Sequence, residues 1–149
     1  DESQPAVWYS IENNTLGEAA LVVIDDMGEQ QFGGVFLTET RKHGNTKRYR
    51  KGFNTTHKNK LLACSRLKNL VETDKIAIKS KNLISELKTY IARGQSYAAK
   101  DGETDDLVSA TLLIIRMSYE VRQWDIGLFD RLKDGLDQDH DMPMPFIIV

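Results

Sequence analysis

"AVWYSIENNTLGEAALVVIDDMG", residues 6–28, sets a β-rich run directly before a helical one. Val7, Tyr9 and Ile11 alternate with other residues, the two-residue period of a strand, so 6–12 reads as a strand. Thr15 and Glu18 have capping-box spacing, which predicts a helix from Leu16 to Met27 that Gly28 ends. A strand feeding a helix is the unit from which α/β folds are built.

The alternation continues outward. "GVFLTE" (34–39) and "KRYRKGF" (47–53) read as two strands joined by the polar loop "TRKHGN". Thr55 or Thr56 is placed to cap a helix with Leu61, Cys64, Leu67, Leu70 and Val71 on one face. "KIAIKS" (75–80) fits a short strand, and "SKNLISELKTYIARG" a helix that stops at Gly94. "QSYAAKDGE" is a brief extended piece with a turn. "GETDDLVSATLLIIRM" (102–117) opens a helix expected from about Asp105 to Trp124, apolar nearly all round and therefore central. The expectation is an α/β sheet with helices on its faces, filling 1–135, followed by an acidic, Pro-containing tail at 136–149.

Bulk properties narrow the class. At 149 residues, 40% hydrophobic and 28% charged, the chain has the size and composition of one domain with a real core. The apolar "LLII" run is interrupted by Arg116 and is too short to span a bilayer. Cys64 is the only cysteine, so an internal disulfide is impossible and a reducing compartment is the natural setting. The net charge of −2 hides an asymmetry: Arg41 to Val71 holds ten Lys or Arg and no acid, whereas Asp101 to Asp141 holds eleven acids and four bases. A basic half points to a polyanion partner, and two balancing solvated faces are the plain alternative. The start at "DESQPAVWYS", without methionine and close to a strand, suggests a piece of a longer protein.

The available chemistry is carboxylate chemistry. No G-x-x-x-x-G-K-[ST] loop occurs, and one cysteine with His43, His57 and His140 gives no zinc-ligand pairs. Cys64 lies on an apolar helical face, where packing is its expected role. Glu12 ends the first strand, and ligands of α/β sheets gather at the carboxyl ends of strands. Asp105 and Asp106 begin the long helix, where one aspartate suffices as a cap and the second needs another reason. Clustered carboxylates hold hard cations such as Mg²⁺ or Mn²⁺ for phosphodiester cleavage.

Together, "VWYSIENNTLGEAAL", "GFNTT", "KIAIKSKNLISELKTYI" and "GETDDLVSATLLIIRM" resemble the C-terminal nuclease domain of the large terminase subunits of tailed bacteriophages. The likeness covers nearly all of the chain, and "MPMPF" is like the ending of the myovirus branch. The resemblance implies a ribonuclease-H-like mixed sheet and a two-metal endonuclease that cuts concatemeric DNA during genome packaging. It implies Mg²⁺ or Mn²⁺ held by Glu12 with Asp105, Asp106 or both. It also implies a first-strand aspartate upstream of this chain, so the opening strands are expected to be missing and the 149-residue piece alone inactive. The implied partners are double-stranded DNA, the portal protein, the small terminase subunit and the ATPase domain of the same parent. The implied setting is the host cytoplasm at the assembling capsid, with no membrane. Arg41, Lys42, Lys47, Arg48, Arg50, Lys51, Lys58 and Lys60 are the candidate phosphate contacts, which position DNA without reading its sequence. Two other readings compete: a non-catalytic docking module that contacts portal or motor, and a resolvase-type nuclease of the same broad fold.

Overall fold

The computed structural model describes residues 7–43, 46–49 and 51–135, and for 41–43, 46–49 and 123–135 it describes the backbone alone. The fold is mixed α/β, with four helices and small two-stranded sheets among the described residues. The opening unit is β1 (Trp8–Tyr9), α1 (Leu16–Met27), a 3₁₀ turn (Glu29–Gln31) and β2 (Val35–Phe36). β2 returns parallel to β1, with Trp8 opposite Val35 and Tyr9 opposite Phe36. Farther along, Glu12 bridges Phe53 in the same parallel sense, so β1 is flanked first by β2 and then by the "GFNTT" segment.

α1 has the expected bounds, but its start differs from the capping box. Thr15 makes no side-chain cap; its carbonyl accepts the Glu18 N–H at 3.2 Å, and its φ is +45°. The tight "ENNT" turn forces this conformation, which is uncommon for a β-branched residue. Gly17 belongs to the same crowding: a Cβ there would stand 1.7 Å from the Glu12 carbonyl oxygen.

The two strands expected at 34–39 and 47–53, joined by a loop, give way to a shorter hairpin. β3 (Thr40–His43) runs antiparallel to β4 (Thr46–Tyr49), so most of the stretch expected to be a loop is itself a strand. The ladder runs from Thr40 opposite Tyr49 to His43 opposite Thr46, and the β-formers of 34–39 are used instead beside β1.

α2 (His57–Glu72) is capped by Thr56, whose Oγ1 accepts the Asn59 N–H at 3.3 Å. Residues 75–80 form no strand, and Ile76 packs against the core from an extended segment without a ladder. α3 (Lys81–Thr89) ends earlier than expected. Tyr90–Arg93 becomes β5, pairing antiparallel with β6 (Ser96–Ala99) across a two-residue turn that Gly94 opens at φ +62°. Glycine in the first central position is what such hairpin turns favour.

α4 (Asp106–Gly135) is longer than the helix expected over 105–124, while the tail at 136–149 lies outside the described residues. Val108, Leu112 and Ile115 of α4 meet Ala63 and Leu67 of α2 in the core, joined by Leu83 and Leu87 of α3. Among the described side chains of α4, burial is confined to that stripe and Arg116. Ile114, which is not among the residues that meet α2 and α3, is 61% exposed.

Candidate functional site

Glu12 is held by the two residues that follow it. Its carboxylate Oε1 accepts from Asn14 Nδ2 at 3.1 Å. The next residue, Asn13, is buried and pins the strand end to the basic segment: its N–H donates to the Phe53 carbonyl and its Nδ2 to the Lys51 carbonyl at 2.7 Å. "ENN" is thus one carboxylate followed by two amides, Asn13 fixing the strand end and Asn14 holding the carboxylate.

"GFNTT" is fixed from the other side. Gly52 takes φ +76°, where a Cβ would meet the Ile11 carbonyl oxygen at 2.5 Å, and Phe53 is fully buried. Arg116 of α4 reaches across, donating to Thr55 Oγ1 at 3.1 Å, to the Asn54 carbonyl at 3.0 Å and to Glu39 Oε1 at 2.6 Å. An arginine this buried needs such partners to be tolerated, and here they lock α4 onto the strand layer.

As a result Glu12 and α4 share a cavity of about 70 Å³, walled by Glu12, Thr55, Lys60, Ser109, Leu112 and Arg116. Ser109, Leu112 and Arg116 lie on the helical face that begins at Asp105, four residues before Ser109. Lys60 connects this cavity to the surroundings of Asp105: its Nζ lies 5.7 Å from the centre of the Tyr90 ring. Burial pushes the Tyr90 phenol above its ordinary range, and the neighbouring Cys64 and Asp105 add to the shift.

The two aspartates prove unlike. Asp105 is half-buried, its carbonyl accepts the Ser109 N–H at 2.8 Å, and its Oδ2 accepts the Ala99 N–H at 3.4 Å. Asp106 is exposed at the first helical position. Neither carboxylate is bonded to a free N–H of the first turn of α4. Glu86 of α3 does that instead: its Oε2 accepts from Leu107 N at 2.8 Å and Val108 N at 3.1 Å, and its Oε1 from Thr104 Oγ1 at 3.1 Å. The helix start therefore carries two aspartates that the cap does not consume.

Among the described residues, no three of His, Cys, Asp and Glu gather closely enough to hold a metal ion. The oxygen donors present suit a hard cation in kind. Glu12 and Asp105 each keep one carboxylate oxygen outside the hydrogen bonds just described.

The basic residues divide. In the hairpin register Arg41 stands opposite Arg48 and Lys42 opposite Lys47. Arg50 lies outside the described residues. Lys51 is committed internally, bridging Asp25 and Glu29 and lying over the Phe36 ring; hydrogen bonds to those carboxylates hold it protonated above its usual range. That removes it from the free phosphate contacts. Lys58 is exposed at the start of α2, and Lys60 lines the Glu12 cavity.

Sequence reasoning did not assign roles to Arg116, Glu39 or Glu86. Arg116 carried a signal, a lone cation inside "LLIIRM" that must find buried partners. Glu86 carried none, since its cap partners lie 21 and 22 positions away. No helix among the described residues is long and apolar enough to cross a membrane. The chain matches no protein-family profile.

Proposed function

We propose that the chain is the metal-dependent nuclease domain of a phage terminase large subunit, with a ribonuclease-H-like fold, that cuts concatemeric DNA during packaging. The observation that carries the reading is the shared cavity: Glu12, from a strand end, faces the same α4 surface that Asp105 begins, although the two lie 93 positions apart. Mg²⁺ or Mn²⁺ bound there would activate the attacking water and stabilise the leaving oxygen. Glu12 and Asp105 would hold the metal, with Asp106 at the solvent side and a further carboxylate from upstream of Asp1 completing the set. Lys60, in the Glu12 cavity, would face the scissile phosphate. The hairpin supports the polyanion half of the reading. Like charges directly opposite in a ladder destabilise it unless a counter-charge arrives, and two such cationic pairs occur in succession.

Two measurements test the reading. Mn²⁺ titrated into the 149-residue chain should broaden the amide resonances of Glu12 and Asp105 together, and weakly, because the carboxylate set is incomplete. The longer parent should cleave plasmid DNA with Mg²⁺ and lose cleavage with Glu12→Ala or with Asp105→Ala. Broadening of neither amide, or cleavage that survives these substitutions, would refute the proposal. A docking role in the packaging motor is the second reading, favoured by α1: Leu16, Val23 and Met27 form a stripe along its outer side, with Leu16 87% exposed.

A further inference from the structure

The β-former run "KIAIKS" lies between α2 and α3 as an extended segment without a ladder. Ile76 and Ile78 are half-buried while Ala77 and Lys79 are exposed, the two-residue alternation of a strand. Backbone bonds flank the run, from the Lys75 N–H to the Leu70 carbonyl at 2.9 Å and from the Ile84 N–H to the Ser80 carbonyl at 3.0 Å. Between them, the N–H and C=O groups of Ile76 to Lys79 have no hydrogen-bond partner among the described residues. An extended segment in this state accepts an added strand. The run also borders a cavity of about 810 Å³ between the end of α2 and α4, to which Leu70, Ile76, Ala77 and Tyr119 give apolar surface. Arg66, Lys75 and Arg122 line the same cavity against one acid, Asp74, and the Arg66 guanidinium lies 3.7 Å over the Tyr119 ring.

We propose that "FIIV", residues 146–149, seats in this cavity as a strand added to 76–79 of the same chain. Phe146 to Val149 are all strong β-formers, and Pro143 and Pro145, which have no N–H to give, end the ladder on their side. The residues leading to the run carry Asp137, Asp139 and Asp141, opposite in sign to Arg66, Lys75 and Arg122. Reach selects the cavity. From Arg122 to Gly135 α4 rises about 20 Å, and the chain from Gly135 to Phe146 spans about 36–40 Å when fully extended, so the run returns with slack. The apolar cavity beside Val108 stands about 40 Å from Gly135 and would leave none. The tether also favours the chain's own run over that of a second copy, since a short linker sets an effective concentration of about millimolar. The inference stands apart from the nuclease reading, and none of its tests involves metal or DNA.

Hydrogen exchange of the 149-residue chain tests the seating. An added strand bonds every other amide of its neighbour, so alternate amides among Ile76 to Lys79 should be protected about tenfold or more. Phe146→Asp with Ile148→Asp should abolish that protection and leave the Leu112 and Ile115 amides of α4 unchanged. A nitroxide on Met144→Cys in a Cys64→Ser background supplies an independent test, and should broaden the Ala77 and Arg122 amide resonances more than that of Val108. Isotope-labelled chain without nitroxide, mixed at micromolar concentration with unlabelled chain that carries it, should show no broadening. Open-chain exchange throughout 76–79, or protection that survives the two aspartates, overturns the proposal. Broadening centred on Val108 assigns the run to the other cavity, and broadening in the mixed sample assigns it to a second copy; either result overturns the proposal as well.

Discussion

Replacing Glu86 with alanine deletes the acceptor for two of the free N–H groups at the start of α4. Both are charge-assisted bonds, at 2.8 and 3.1 Å, and the carboxylate lies on the positive end of a 30-residue helix. Loss of a capping side chain costs about 1 kcal/mol, and loss of an anion at a helix N-terminus adds roughly 0.3–1 kcal/mol. The half-exposed position lets water recover part of this, so a total of about 1.5 kcal/mol is expected. For a domain of this size that corresponds to a fall in Tm of roughly 3–6 °C. Glu86→Gln keeps an acceptor and should lose about half as much. Asp105→Ala and Asp106→Ala should each cost less than Glu86→Ala, because their carboxylates do not bond the first-turn amides. Thermal melts at 222 nm give the ranking, and hydrogen exchange at the Leu107 and Val108 amides localises it. If Asp106→Ala costs more than Glu86→Ala, the aspartates are the cap, and the argument that they are free for a ligand fails.

Phe53→Ala empties a fully buried site between β1 and Arg116 and should cost about 3–5 kcal/mol in urea unfolding; a loss below about 1 kcal/mol would place Phe53 outside the core. Glu120 is raised above the usual glutamate range, first by burial and then by Glu39, against the opposing pull of hydrogen bonds from Thr40 and the charge of Arg116. With the folded pKa above the unfolded one, the native state binds the extra proton, so stability falls as pH rises through that window. Glu120→Gln should therefore raise Tm at neutral pH, with the advantage shrinking as pH drops below the unfolded pKa; an equal effect at both pH values would refute this. Arg48→Ala with Arg50→Ala should weaken DNA binding by the parent alike for all sequences, and flatten the logarithmic salt dependence by about two units. An unchanged slope would mean that the hairpin does not meet phosphate.

The end of α1 and the start of α2 were legible because each is set within a few residues: Gly28 after Met27 and Thr56 before His57. What lay beyond reach depended on distant partners. "TYIAR" has the apolar spacing to continue a helix, yet Gly94 lets Tyr90–Arg93 fold back on Ser96–Ala99. "KIAIKS" has strand alternation, yet it forms no ladder, and Ile76 packs directly against the helical core. At the site, Glu12 and the aspartates could be named from their positions at a strand end and a helix start. The division of labour between Asp105 and Glu86 could not, because it follows from how α3 docks on α4.

The β3–β4 ribbon holds its cations in mutual opposition, and this gives dissolved salt two contrary effects on one element. In the free protein, added electrolyte screens Arg41 from Arg48 and Lys42 from Lys47, so the ribbon should tighten as ionic strength rises. Were the ribbon to bind a polyanion, as proposed, the same electrolyte would compete for the same side chains and loosen the complex. Folding of the ribbon and binding would then be thermodynamically linked, since folding gathers the cations and a bound polyanion would relieve the repulsion that opposes folding. Low ionic strength would leave the free ribbon weakest and such a complex tightest.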